Sequence, residues 1–226
     1  MATGALTVAG EDVHPAQMTL PEMQAIVQEA HRMGRAVAAH AEGLEGIRLS
    51  LEVGVDTIEH GEMSYQAPDV LEIMAANGTI LVPTLSVFDK IADSQGQFPD
   101  WMVEQAKRLR ESAYQTVAAA LRAGVALAMG ADTGPHGKNA QELVKMVEAG
   151  LSPMEGIVAA TSAAARACRL QETIGTVTPG KIADLLVVDG DPIEDVRLFL
   201  QPEKVWLVLQ NGNAVAGTRR RSGFNC

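Results

Sequence analysis

The 226-residue chain is 47% hydrophobic with a formal net charge of −10, which suits one large globular domain with an appendage and argues against extended disorder. That acidity, with no basic run before Arg219-Arg220-Arg221, argues against a nucleic-acid partner held through its phosphates. Two cysteines make no disulfide framework and suit a reducing, cytoplasmic compartment, the opening residues lack the charged and long apolar regions of a signal peptide, and no apolar run approaches the roughly 18 residues of a membrane span.

Residues 1–18 are small and irregular and end in a polar loop with His14-Pro15. Thr19-Leu20-Pro21-Glu22 then forms a capping box with proline in the first turn, where its missing N–H costs nothing. Met23, Ile26, Val27, Ala30 and Met33 make a single apolar stripe on the helix that follows, which ends at Gly34. From Gly34 one short phrase recurs four times. A glycine stops a helix, a mostly apolar run of five residues follows, and the run ends six places after the glycine at His40, His60, Thr84 and Gly130, the last continuing to Asp132. Each run predicts one buried strand. The intervals are long enough for helical crossovers, so the strands are expected to be parallel, with His40, His60 and Asp132 at the carboxyl ends where such sheets bind ligands.

Between the strands, the spacing predicts helices over 44–53, with Leu44, Ile47 and Leu51 on one side, and over 68–76, stopped by Asn77-Gly78. Residues 85–100 read as a long loop, either a lid or substrate-contacting segment or a plain surface excursion, before a helix over 101–122. A helix over 139–149 follows the turn at 133–137, and Ser152-Pro153-Met154-Glu155 is a second capping box that opens an alanine-rich helix to about residue 170. The methionines of these helices read as core filler. From Gly175 the pattern changes to short β segments: Thr176-Val177, 184–188, and 205–210 with Asn211-Gly212 as a hairpin turn to Ala214-Val215. Two units are expected, 1–172 and 173–226.

Two imidazoles and a carboxylate suit a divalent ion such as zinc, which in catalytic sites keeps three protein ligands and an open position. A lone histidine at a strand end is usually structural; two at the same offset from a repeated glycine shift the balance toward metal ligation. Asp132 is the candidate proton carrier. His136, four residues on, is a candidate substrate contact, although Pro135 and Gly137 also fit an ordinary turn. Glu42 and Glu59 adjoin the histidines and are candidates to orient them; Glu59, next to His60, is expected on the opposite side of its strand. His31 reads as part of a solvated helix face.

The segments VAAHAEGLEGIRLSLEVGVDTIEHG, LVPTLS, MGADTGPHGKNAQELVKMVEAGLSPMEGIVAATSAAARACRL and IGTVTPGKIADLLVVDGDPIEDV resemble the second half of the amidohydrolase superfamily, nearest its prolidase-like (Xaa-Pro dipeptidase) and imidazolonepropionase-related branch. The resemblance implies an α/β fold, a partial (β/α)8 TIM barrel of about strands five to eight followed by a small C-terminal β-sandwich segment. It implies that His40 and His60 are metal ligands of the fifth and sixth strands, and that Asp132 is the eighth-strand ligand and proton shuttle. One or two ions, most commonly zinc, would serve hydrolysis of an amide or peptide C–N bond in a dipeptide or other small molecule. A deaminase or cyclic amidase of the same superfamily, and an inactive fragment or scaffold, remain alternatives. The superfamily's His-x-His pair and bridging lysine have no counterpart here, so the chain is expected to be the C-terminal half of such an enzyme. Exposed barrel edges are then expected to drive self-association.

Overall fold

The computed structural model describes residues 1–10, 12–132 and 137–218. Three short strands, β1 (Ala38–Ala41), β2 (Thr57–His60) and β3 (Ile80–Val82), form a parallel sheet in chain order. The fourth repeat extends it. Leu81 makes a parallel bridge to Leu127, its N–H donating to the Ala126 carbonyl (2.9 Å) and its carbonyl accepting from the Ala128 N–H (3.0 Å). At the other edge the Ala2 N–H donates to the His40 carbonyl (2.8 Å), so the irregular opening segment is packed in, with residues 2–6 buried.

Parallel strands joined by crossovers need helices, and these occupy the intervals between repeats. They are α1 (Leu20–Arg32), α2 (Leu44–Val53), α3 (Pro68–Asn77), α4 (Leu85–Ala92) and α5 (Asp100–Arg122). α2 and α3 stop at Gly54 and Gly78, both left-handed, as the repeated glycines predict. The core lies between helices and sheet: Ala41, Ile58 and Leu81 from the strands are fully buried against Ile47, Val70, Met74 and Phe88 from the helices. The α1 stripe is only half used, since Met23 and Val27 are buried whereas Ile26 and Met33 are 49% and 61% exposed. Met154, at 54% exposure, is likewise no core filler.

Residues 85–100 are not one long loop. Leu85, Phe88 and Ile91 fall on one face of α4 and are no more than 2% exposed, so the first half is a core helix. The turn formers that suggest a loop, Asp93, Ser94 and Gly96, all lie in the second half.

After the sheet come α6 (Ala140–Glu148), α7 (Pro153–Val158) and α8 (Ala164–Ala167), the last two joined through a π-turn at Ala159–Ala163. The Ala159 carbonyl accepts the Met129 N–H (2.9 Å), which ties this helical run to the fourth repeat. The Ser152 capping box is present, its hydroxyl accepting the Glu155 N–H. A second, antiparallel sheet holds β4 (Leu185–Val188), β5 (Val205–Gln210) and β6 (Asn213–Ala216), with the turn at Asn211-Gly212. Thr176-Val177 is not a strand; Val177 is 87% exposed. Among the described residues no helix is long and apolar enough to cross a membrane.

At the opposite end of the sheet from the histidines, Asp56 gathers three elements. Its carboxylate accepts from the Val37 N–H (2.7 Å), from His31 Nε2 (2.8 Å) and from Arg169, which follows α8. Burial pushes this carboxyl up, yet the bonds from Val37, Arg169 and His31 hold it below its ordinary value. His31 is therefore part of a structural junction rather than a solvated face.

Because α4 is core, Phe88→Ala is expected to destabilise the chain by about 3–5 kcal/mol, as for other buried phenylalanines. Urea unfolding checks this; a change within 0.5 kcal/mol or so, typical of surface sites, would return the segment to a lid.

Candidate functional site

The register decides what meets at the strand ends. His40 lies opposite Glu59, and Ala41 opposite His60. In-register neighbours of a parallel sheet share a face, so regular pleating would set His60 on the helix-covered face with the fully buried Ala41. The backbone prevents this: His60 has φ +72°, and the following Gly61 has φ +69°. The left-handed turn brings the His60 ring against that of His40, centroids 4.6 Å apart in an edge-to-face arrangement. Gly61 cannot be replaced without cost, since a Cβ there would lie 2.7 Å from Leu81 Cδ1 and the φ itself is unfavourable for L residues. Glu59, by the same register, shares the face of His40 instead of the outward position expected for it.

Thr84 ends the third repeat in the same way, with φ +50°. A β-branched residue is strained there, and such outliers gather at functional sites. Its hydroxyl lies 2.7 Å from His60 Nδ1, in a buried contact. With Nδ1 engaged, Nε2 is the nitrogen His60 can offer to a ligand. His40 Nε2 meets the Gly4 carbonyl at 3.2 Å and Glu42 Oε1 at 3.8 Å, the latter an electrostatic approach rather than a hydrogen bond.

Two glutamates follow the histidines at one offset, His40-Ala41-Glu42 and His60-Gly61-Glu62, and both are buried. Glu42 Oε1 accepts the Leu6 N–H (3.1 Å), while neither Glu62 carboxyl oxygen has a hydrogen-bond partner. Burial, then the nearby Glu42, pushes the Glu62 carboxyl well above its ordinary value. The repeated His-x-Glu spacing is the sequence signal that finds Glu62, which the sequence reading passed over. Burial also raises Glu59, opposed by a hydrogen bond from Thr57 and reinforced by the charge of Asp132.

Asp132 itself is exposed and near enough to Glu59 to perturb it. Among the described residues no group of three or more His, Cys, Asp and Glu side chains stands close enough to hold a metal ion. The histidines are thus brought together, whereas the aspartate expected to join them does not complete the set. His136 lies outside the described residues. In kind, the two imidazoles suit zinc; in number they fall short of the three protein ligands that a catalytic site takes.

The sequence matches the amidohydrolase family over residues 1–215. The chain belongs to the amidohydrolase family. It is 34% identical over 222 residues to ochratoxinase from Aspergillus niger, covering 96% of this chain and 45% of that protein. It is 25% identical over 200 residues to imidazolonepropionase from Acinetobacter baumannii, covering 86% of this chain and 45% of the relative. The crystal structure of a Xaa-Pro dipeptidase with methionine bound in its active site superposes with a TM-score of 0.87 at 33% identity, over 96% of this chain and 53% of that one. This amidohydrolase chain therefore spans about half the length of the relatives it matches, with a mixed α/β fold similar to theirs over that half.

The His60 imidazole is pushed down to about 3 from 6.5, first by burial and then by the charge of His40. A depressed histidine takes up its proton less readily folded than unfolded, so stability is full above about 6.5 and falls as pH drops toward 3. In metal-free chain, a plot of melting temperature against pH should fall across that window and His60→Gln should flatten the slope, the loss being a few kcal/mol at about 1.4 kcal/mol per pKa unit. Equal slopes in both proteins would contradict a buried neutral His60.

Proposed function

We propose that this chain is the part of a metal-dependent hydrolase of amide or peptide C–N bonds that presents His40 and His60 to a divalent ion, zinc by its preference for imidazole. The carrying observation is the two rings 4.6 Å apart at the ends of adjacent parallel strands, one of them oriented by Thr84. Family membership and the hydrolase relatives support the reaction class. The sheet built from the four repeats would be strands five to eight of a (β/α)8 barrel, and residues 173–226 the β-sandwich segment beside it.

A divalent ion bound there supplies Lewis acidity for the scissile carbonyl and lowers the pKa of a water. His60 presents Nε2 because Thr84 occupies Nδ1, which fixes the ring's orientation. Asp132 takes the proton of the attacking water and returns it to the departing nitrogen; its exposure keeps it accessible to substrate. His136 is the further residue assigned to substrate contact in this reading. The substrate is a dipeptide or N-acyl amino acid, in keeping with the Xaa-Pro dipeptidase likeness.

A second reading is that these 226 residues hold too few ligands to turn over substrate alone, and self-associate through the sheet edges. It is favoured by the absence, among the described residues, of a third ligand beside the histidine pair.

Zinc content and turnover of Xaa-Pro dipeptides and N-acyl amino acids separate the two. The hydrolase reading expects zinc to be lost in His40→Ala and His60→Ala. It expects Asp132→Asn to lower the rate about 10²–10⁴-fold, the usual worth of a positioned acid–base group. Zinc-loaded chain with no turnover would leave the second reading standing.

A further inference from the structure

Glu142 is a charged residue in the wrong place. It lies on α6 four residues before Met146, on the stripe that enters the core, and both are fully buried. A buried carboxylate is costly unless its oxygens are satisfied, so its partners indicate what it holds. Oε1 accepts the Leu85 N–H and Oε2 the Ser86 N–H, each at 2.7 Å. These are the first two amides of α4, which have no partner within their own helix. The residue before them is Thr84, left-handed at φ +50°, whose hydroxyl meets His60 Nδ1.

Three elements thus meet in one line from α6, through the start of α4, to the end of β2. Thr84 is a poor residue for its conformation, and it is the cap from which α4 begins at Leu85. Two short bonds to a carboxyl group at the positive end of the helix oppose that strain. We propose that Glu142 is a positioning residue for His60: by clamping the start of α4 it keeps Thr84 in the left-handed conformation from which the hydroxyl fixes the His60 imidazole. Glu142 touches neither ion nor substrate and acts through Thr84. The consequence for metal rests on the reading of His60 as a ligand; the consequence for the imidazole does not.

The test uses metal-free, ¹⁵N-histidine-labelled chain, with zinc affinity measured separately. Glu142→Gln keeps the volume but turns an amide donor toward one of the two N–H groups. It is expected to shift or broaden the His60 ring nitrogen resonances as the Nδ1 contact with Thr84 loosens, and to weaken zinc about 10-fold, the low end for loss of an outer-sphere partner. Thr84→Val, which puts a methyl group in place of the hydroxyl, is expected to reproduce both changes, and the double variant to add nothing further, because the two residues act in series. Met146→Ala, buried on the same helix but making no hydrogen bond to the start of α4, is the control for lost stability and is expected to lower the melting temperature while leaving the His60 resonances unchanged.

His60 resonances in Glu142→Gln that match the unsubstituted chain, or that change equally in Met146→Ala, overturn the positioning role. If the unsubstituted chain binds no zinc, the metal reading falls while the imidazole spectra still decide the positioning claim.

Discussion

A parallel sheet covered by helices leaves its strand ends as the only place where the chain can assemble polar groups without breaking the ladder, and here one register governs what assembles. Pairing Ala41 with His60 would send that histidine into the helix-covered layer if β2 stayed regular to its end. Two consecutive left-handed residues, His60 and Gly61, avoid this and turn the imidazole toward His40. The strain is local. It is held by what surrounds it: the Thr84 hydroxyl at His60, the Leu81 side chain packed where a Gly61 Cβ would be, and the buried core beneath.

The same logic explains why so much ionisable chemistry is buried at this end. Glu42, Glu62 and Glu142 are each almost wholly removed from solvent, and each stands next to a residue that shapes the strand ends. They differ in how they are satisfied. Glu142 caps a helix and, although burial raises it to about 7, the amides of Ser86 and Leu85 pull the other way. Glu62 has no such donors, and burial pushes its carboxyl well above the ordinary value. The opposite end is simpler, with Asp56, just before β2, joining Val37, α1 and Arg169 beyond α8.

Function follows from this asymmetry. Under the proposed function the pair of imidazoles at the sheet's carboxyl end would hold the ion, and the chain's own contribution would be orientation. A ring whose Nδ1 is engaged presents Nε2 without a conformational search, which lowers the ordering cost of binding an ion. The exposed Asp132 is near enough to Glu59 to perturb it, although among the described residues it does not close into one coordination set with the histidines.

The repeated glycine phrase determined by itself that strands and helices alternate, where α2 and α3 stop, and that His40 and His60 lie at neighbouring strand ends; these are local matters of periodicity and left-handed caps, written into adjacent residues. Helix α2 has the very limits that its apolar spacing predicts, and the Asn211-Gly212 turn joins the strands it was expected to join. Only the tertiary structure decided which way the residues at those ends face. Glu59 shares the face of His40, His60 turns back on itself, residues 85–92 pack as a core helix, and Glu142 reaches from α6 to the start of α4. Each depends on contacts between segments far apart in the chain: a side chain's direction at a strained backbone, and the partner that satisfies a buried charge, are set by neighbours that spacing along the sequence does not name.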